Sequence, residues 1–284
     1  MTSDIVDIDH LMLSVQNSDL AMDVYSKMGF TITPRGILEG MSNRLICFSG
    51  AGGKVPNFVE MMSLDDAQLA PPAMAAALKV PDRAVLLVGA SNDAQNTKTA
   101  LNEGGMKVSP VIDTGREWKL PSGEVLDLTF SIVLPAPAQA PFYWIACQHK
   151  TPQHYLREDF TTHNNGATSL KNIIALSDDP QKAANHFCYF WQAKSSGKSP
   201  VIVSRGDVDL HIYNRDEFQS SFVGLEPARS EDHLAGFTVA VKDLSLVGEL
   251  LSKAGLSPIV ADEKIIIDPS QACGSLVVFV ADDK

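Results

Sequence analysis

The stretch VDIDHLMLSVQNSDLAMDVYSKMGFTITPRG, Val6–Gly36, decides how the rest of the chain is read. Ile8, Leu11, Leu13 and Val15 make its first third apolar enough for a buried strand, yet His10 places an imidazole among them. Such a histidine is either a ligand or a core residue with its hydrogen bonds satisfied. An Asp/Asn turn follows, and Asp19 sits where a carboxylate accepts orphan backbone N–H groups and meets the positive end of a helix dipole. Leu20, Val24 and Met28 then recur at i, i+4 and i+8, which predicts a helix that buries this stripe. Gly29 suits the left-handed position at the helix end, and TITPRG resumes an extended course.

The same order of elements returns three more times. RAVLLVGA with SNDAQNTKTALNEGGM, SLKNIIALS with DDPQKAANHFCYFWQ, and LAGFTVAV with KDLSLVGELLSKAGL each read as strand, turn and helix. Asp93, Asp179 and Asp243 stand at these helix starts, and Pro180 fits a first helical turn because its missing N–H costs nothing there. Leu246, Leu250 and Leu251 form the apolar stripe of the last helix. Up to three short strands follow each helix, as in NRLICFS and NFVEMMS or KIIID and GSLVVFVAD. The fold class expected is therefore α+β, built from about four βαβββ modules. Ser63–Pro81 separates the first two, with an Ala-rich piece suited to a short helix, and SGAGGK (Ser49–Lys54) reads as a hairpin loop. His149–Ala167 links the halves, which divides the chain into domains at 1–160 and 161–284.

Composition narrows the class. Of 284 residues 45% are apolar and 20% charged, ordinary for a globular protein with a full core. No apolar run approaches the roughly 18 residues of a membrane span, and the acidic N-terminus lacks the pattern of a secretory signal, so the expected location is cytoplasmic. Cys47, Cys147, Cys188 and Cys273 are scattered and read as reduced, mostly buried thiols. A net charge of -11 opposes binding to nucleic acid. Nucleotide-binding glycine loops and a serine-hydrolase motif are lacking.

The opening motif, together with GMSNRLICF, NFVEMM, FYWIACQHKTP and HNNGA, resembles the vicinal oxygen chelate superfamily in its glyoxalase-like branch, over roughly residues 5 to 175. The resemblance implies paired modules whose sheets form half-barrel cups around a divalent metal, which two adjacent substrate oxygens chelate. It places His10 at the ligand position of the first strand and Glu60 at that of the last. Glu60 among Phe58, Val59, Met61 and Met62 is costly unless it faces a polar cup or a cation; strand alternation could also turn it to solvent. His149 is the candidate third ligand, or else a loop-capping histidine.

Two imidazoles and a carboxylate suit Fe, Mn, Ni or Zn. Glu60 is also the candidate catalytic base. Arg35, Asn43, Trp144 and His211 are the candidate substrate contacts, and His163 a turn cap. Leu38 and Met41 stand where relatives carry polar residues. The reading is thus a metal-dependent enzyme acting on a small oxygenated metabolite, with isomerase, lyase and dioxygenase chemistry undistinguished. Its alternative is a metal-free protein that sequesters small molecules. The C-terminal half is expected to be a degenerate partner that closes the cup or builds a homodimer face.

Overall fold

The computed structural model describes residues 3–49, 55–261 and 263–282. The βαβββ unit occurs four times. The first comprises β1 (Ile5–Ser14), α1 (Ser18–Lys27), β2 (Gly36–Leu38), β3 (Met41–Phe48) and β4 (Asn57–Leu64). The short helix α2 (Pro72–Leu78) lies in the Ala-rich connection, before β5 (Arg83–Ser91), α3 (Ala94–Glu103), β6 (Ile112–Lys119), β7 (Val125–Val133) and β8 (Trp144–His149). After α4 (Glu158–Thr161) come β9 (Ala167–Leu176), α5 (Pro180–Phe190), β10 (Lys194–Ser196), β11 (Val201–Ser204) and β12 (Asp209–Tyr213). Helix α6 (Arg215–Ser221) leads to β13 (His233–Val241), α7 (Leu244–Lys253), β14 (Ile259–Ala261), β15 (Lys264–Ile267) and β16 (Leu276–Ala281). The hairpin loop expected at Ser49–Lys54 lies, from residue 50 onward, outside the described residues.

Local chemistry explains the helix starts. Asp93, Asp179 and Asp243 accept backbone N–H groups at the caps of α3, α5 and α7. Asn17 caps α1, with Asp19 in its first turn. The strands form two sheets of eight, ordered β2-β3-β4-β1-β5-β8-β7-β6 and β10-β11-β12-β9-β13-β16-β15-β14. Each sheet joins two modules through antiparallel pairing of their first strands, while first and last strands within a module run parallel. Strand twist curls each sheet into a cup. The first is nearly a barrel: its edge strands approach, and Trp118 Nε1 on β6 donates to the Pro34 carbonyl just before β2 at 3.1 Å.

The two sheets stand back to back. Their outer faces and the four long helices share one core, with Leu11, Leu87 and Trp144 from the first sheet and Ile173, Phe237 and Val277 from the second. The second cup is filled by its own chain: Phe218, Phe222 and Leu225 pack onto Ile174, Leu176 and Val278. The C-terminal half therefore backs the first cup rather than closing it. No helix among the described residues is long and apolar enough to cross a membrane. All four cysteines are free; Cys47 and Cys147 are buried, Cys188 and Cys273 half-buried.

Two helix faces differ from the periodicity reading. Leu20 is 60% exposed, and the buried stripe of α1 is Ala21, Tyr25 and Met28. The helix turns this way because Tyr25 reaches the second half, where its hydroxyl donates to the Ala272 carbonyl at 3.0 Å. In α7 likewise, Val247 and Leu251 are buried while Leu246 faces outward.

HNNGA forms the seam between halves. His163 accepts from Thr31 N–H at Nδ1 and donates from Nε2 to the Cys47 carbonyl at 2.9 Å. Asn165 Nδ2 donates to the Met28 carbonyl, and its backbone N–H to the Gly29 carbonyl. Gly29 has φ +85°, and a Cβ there would lie 2.8 Å from Asn165 Cβ, so both conformation and space require glycine.

Burial pushes the His163 imidazole down to about 4, only partly opposed by its bond to Cys47. Since the unfolded chain then takes up a proton that the folded one does not, this histidine's contribution is present above pH about 6.5 and is lost as pH falls toward about 4. His163→Gln, which keeps a donor for the Cys47 carbonyl, is expected to reduce the loss of stability between pH ~7 and ~5 by about 2 kcal/mol in urea titrations. Tyr25→Phe is expected to cost about 1 kcal/mol in the same measurement at neutral pH.

Candidate active site

The site begins with an irregularity in β1. Ile8 lies opposite Gly89 and His10 opposite Val88, so Asp9 is an extra residue without a partner on β5. A bulge of this kind interrupts alternation and re-aims a side chain. Here it brings neighbouring residues to the same side of the sheet. His10 Nδ1 lies 2.6 Å from Asp9 Oδ1, and the Asp9 carboxylate also reaches His149, at 3.1 Å from Oδ2 to Nε2.

On its other edge His10 meets Glu60, with Nε2 3.3 Å from Oε2. Parallel pairing of β1 with β4 sets Glu60 opposite Met12, and the carboxylate faces the cup rather than solvent. Asn43 on β3 donates from Nδ2 to Glu60 Oε1. Its Oδ1 accepts from Arg116 Nη2 on β6 at 3.1 Å. A continuous chain of polar groups thus runs Arg116, Asn43, Glu60, His10, Asp9, His149 across five strands.

Asp9, His10 and Glu60 are 1%, 6% and 7% exposed, so their charges persist only through one another. Burial works against ionised Asp9, but His149 and His10 outweigh it and hold the carboxyl below its ordinary range. Glu60 is likewise held low, burial being overcome by His10, Asn43 and Arg116. Burial also opposes the imidazolium forms, yet Asp9 and Glu60 raise His10, and Asp9 with Cys147 raises His149 well above the usual range.

His10, Asn43, Glu60, Arg116 and His149 border a cavity of about 360 Å³, with Asp9 behind the two imidazoles. Its floor is aromatic: Phe58 stacks on His10 at 4.2 Å and on Tyr155 at 5.3 Å, and Tyr155 meets the His149 ring. Met12, Met41, Met62 and Met74 line its walls together with Leu38.

Four sequence-predicted residues, His10, Glu60, His149 and Asn43, converge here. Arg35 does not line this cavity; it is exposed and paired with Asp65 at 3.0 Å, with Ser42 also accepting from it. Trp144 faces the opposite way, because alternation along β8 sends Ile145, Cys147 and His149 inward and Trp144 into the core, where its Nε1 bonds His186. His211 belongs to the second sheet, between Ile202 and Ile174, and does not reach this site. Asp9, Arg116 and Tyr155 were missed. The carboxylate beside His10 in IDH was a usable signal for Asp9, whereas GREWK resembles any exposed edge strand.

A family model of the glyoxalase-like domain matches residues 8–188. No curated protein matches the chain in sequence. Among solved structures, a hypothetical protein from Staphylococcus aureus superimposes with a TM-score of 0.67 at 10% identity, covering 98% of this chain and 100% of that one. A mutant of 4-hydroxymandelate synthase from Streptomyces coelicolor gives 0.59 at 11% identity, over 100% and 94%. The Mn(II)-bound glyoxalase from Novosphingobium aromaticivorans gives 0.58 at 10%, over 99% and 84%. At such identities the likeness concerns the fold. With four βαβββ modules, two curled sheets and the match over residues 8–188, the chain belongs to the glyoxalase-like domain family of the vicinal oxygen chelate superfamily.

Proposed function

We propose that this chain is a divalent-metal-dependent enzyme of the glyoxalase-like type, acting on a small oxygenated metabolite, with His10 and Glu60 as principal ligands and His149 as the third. The observation that carries the reading is the convergence of His10, Glu60 and His149 on one cavity, with the buried Asp9 carboxylate paired to both imidazoles behind them. The residues fit a cation. Asp9, His10 and His149 offer ligand atoms within 4.8 Å of one another, Glu60 Oε2 lies 3.3 Å from His10 Nε2, and His149 Nδ1 is buried without a hydrogen-bond partner. Mixed nitrogen and oxygen donors suit Fe, Mn, Ni or Zn. The Mn(II) held by the Novosphingobium glyoxalase supports a metal in this fold.

In this reading His10 presents Nε2 toward Glu60, and Asp9 fixes the ring through Nδ1, as carboxylates do for metal-ligating histidines. A cation bound there supplies Lewis acidity to adjacent substrate oxygens. Asn43 holds Glu60 by one oxygen, which orients the other toward the cavity. Should Glu60 lie outside the ligand set, that second oxygen is placed to take a proton from a substrate carbon or hydroxyl. Residues 1–160 carry this chemistry, and 161–284 form the packing partner behind it.

A metal-free binding protein is the second reading, favoured by one observation: Asp9 and Glu60 already find counterions in His10 and His149.

Elemental analysis of protein purified without a metal-binding tag separates the two. About one equivalent of transition metal is expected, with none in the His10→Ala, Glu60→Ala double variant. Equal, weak metal uptake by both proteins after add-back would establish the metal-free reading. Asp9→Asn, which keeps the first ligands but loses the orienting carboxylate, is expected to weaken metal affinity about 10- to 100-fold. Glu60→Gln separates ligand from base: loss of metal marks a ligand, and retained metal with lost turnover marks a base.

A further inference from the structure

Arg116 is the charged group of the cavity lining that the proposed metal chemistry leaves over. It lines the cavity, its Nη1 is buried without a hydrogen-bond partner, and no carboxylate among the described residues forms an ion pair with it. Its place is built rather than incidental. The guanidinium lies over the Trp118 ring at 5.1 Å and bonds Asn43 through Nη2. A Cβ on Gly36 would come within 2.1 Å of Arg116 Nη1, so glycine at this point of β2 is what leaves room for the side chain. A desolvated guanidinium with an unused donor calls for an anion, and the planar fork matches a carboxylate.

The rest of the cavity calls for something different. β1 and β4 run parallel, and one step beyond His10 and Glu60, in the same direction on both strands, stand Met12 and Met62. Met41 lies further along, opposite Leu64, and Met74 on α2 borders the same space. Arg116 bonds Asn43, which stands opposite Met62, and from that level to Leu64 is two residues, or about 7 Å of strand. Methionine walls adapt to flexible apolar chains.

We infer that the cavity takes a monoanionic carboxylate with an unbranched apolar tail of about five carbons or more, its carboxylate on Arg116 and its tail along the methionines toward α2. A single guanidinium matches one negative charge, which favours a carboxylate over a phosphate dianion. The inference rests on reading this cavity as the substrate or ligand site, but it does not require the metal.

Titration calorimetry on the full chain in the presence of a chelator tests it, with octanoate, butyrate and octan-1-ol as probes. Octanoate is expected to bind, butyrate about 10-fold or more weaker because each lost methylene removes apolar burial. Arg116→Gln is expected to weaken octanoate about 10-fold or more while leaving octan-1-ol within about 2-fold. Gly36→Ala, whose Cβ would meet both the guanidinium and its partner Asn43 Oδ1, displaces the guanidinium while keeping its charge and is expected to reproduce this pattern, which covers the case in which Arg116→Gln does not fold. Absence of octanoate binding, equal binding of butyrate, or unchanged octanoate affinity in the folded variants would overturn the inference. Because these titrations are metal-free and the metal is measured by elemental analysis, either proposal can fail while the other stands.

Discussion

The pairing of buried charges across the first cup is the constraint on which the rest of the site depends. Removing a carboxylate or an imidazolium from water costs several kcal/mol per ion, and the cup holds Asp9, His10, Glu60 and His149 together. Only mutual neutralisation, or a cation, makes this tolerable. The requirement ties the strands into one register, because β1, β4 and β8 must present these groups at the same place, with β5 lying between β1 and β8. A slip of one residue would exchange His10 with Leu11 and set an aliphatic side chain among carboxylates. The bulge at Asp9 is the local device that lets two successive residues face the same partners.

The second half shows the same architecture without that constraint. At the position corresponding to His10 it carries Asn172, bonded to Thr238 at 3.0 Å. Aromatic residues of α6 and the segment after it fill its cup. With no buried ions to reconcile, this sheet can serve as a backing. Its outer face completes the core of the first, and the seam at His163 and Asn165 fastens the two. Rigidity of the first cup therefore comes partly from chain that contributes nothing to its lining.

Much of this was legible in the sequence, because strand and helix signals are local. Four strand–turn–helix starts, three of the four caps and the short helix in the Ala-rich connection follow from residue types and spacing, and the family resemblance implied the inward placement of His10 and Glu60. The failures share a cause. Leu20 and Ala21 stripes are equally good by periodicity, and the choice between them rests on a hydrogen bond from Tyr25 to Ala272, some 247 positions away. Trp144 and His149, an odd number of residues apart on one strand, face opposite ways by alternation, and which of them meets the cup follows from the strand's register against β5 and β7. Arg35 carries the same charge as Arg116; only closure of β6 onto β2 selects the second for the cavity.

By itself, the sequence determined the βαβββ modules, their number, the strands that carry His10, Glu60 and His149, and the family. Those depend on alternation, helical periodicity and capping, all read over a few neighbouring residues. Only the tertiary structure decided that Asp9 and Arg116 belong to the site, that the halves stand back to back, and that one cup is open and the other filled. Each of these turns on which distant strand a residue meets, and a bulge or a missing Cβ changes that meeting without leaving a pattern along the chain.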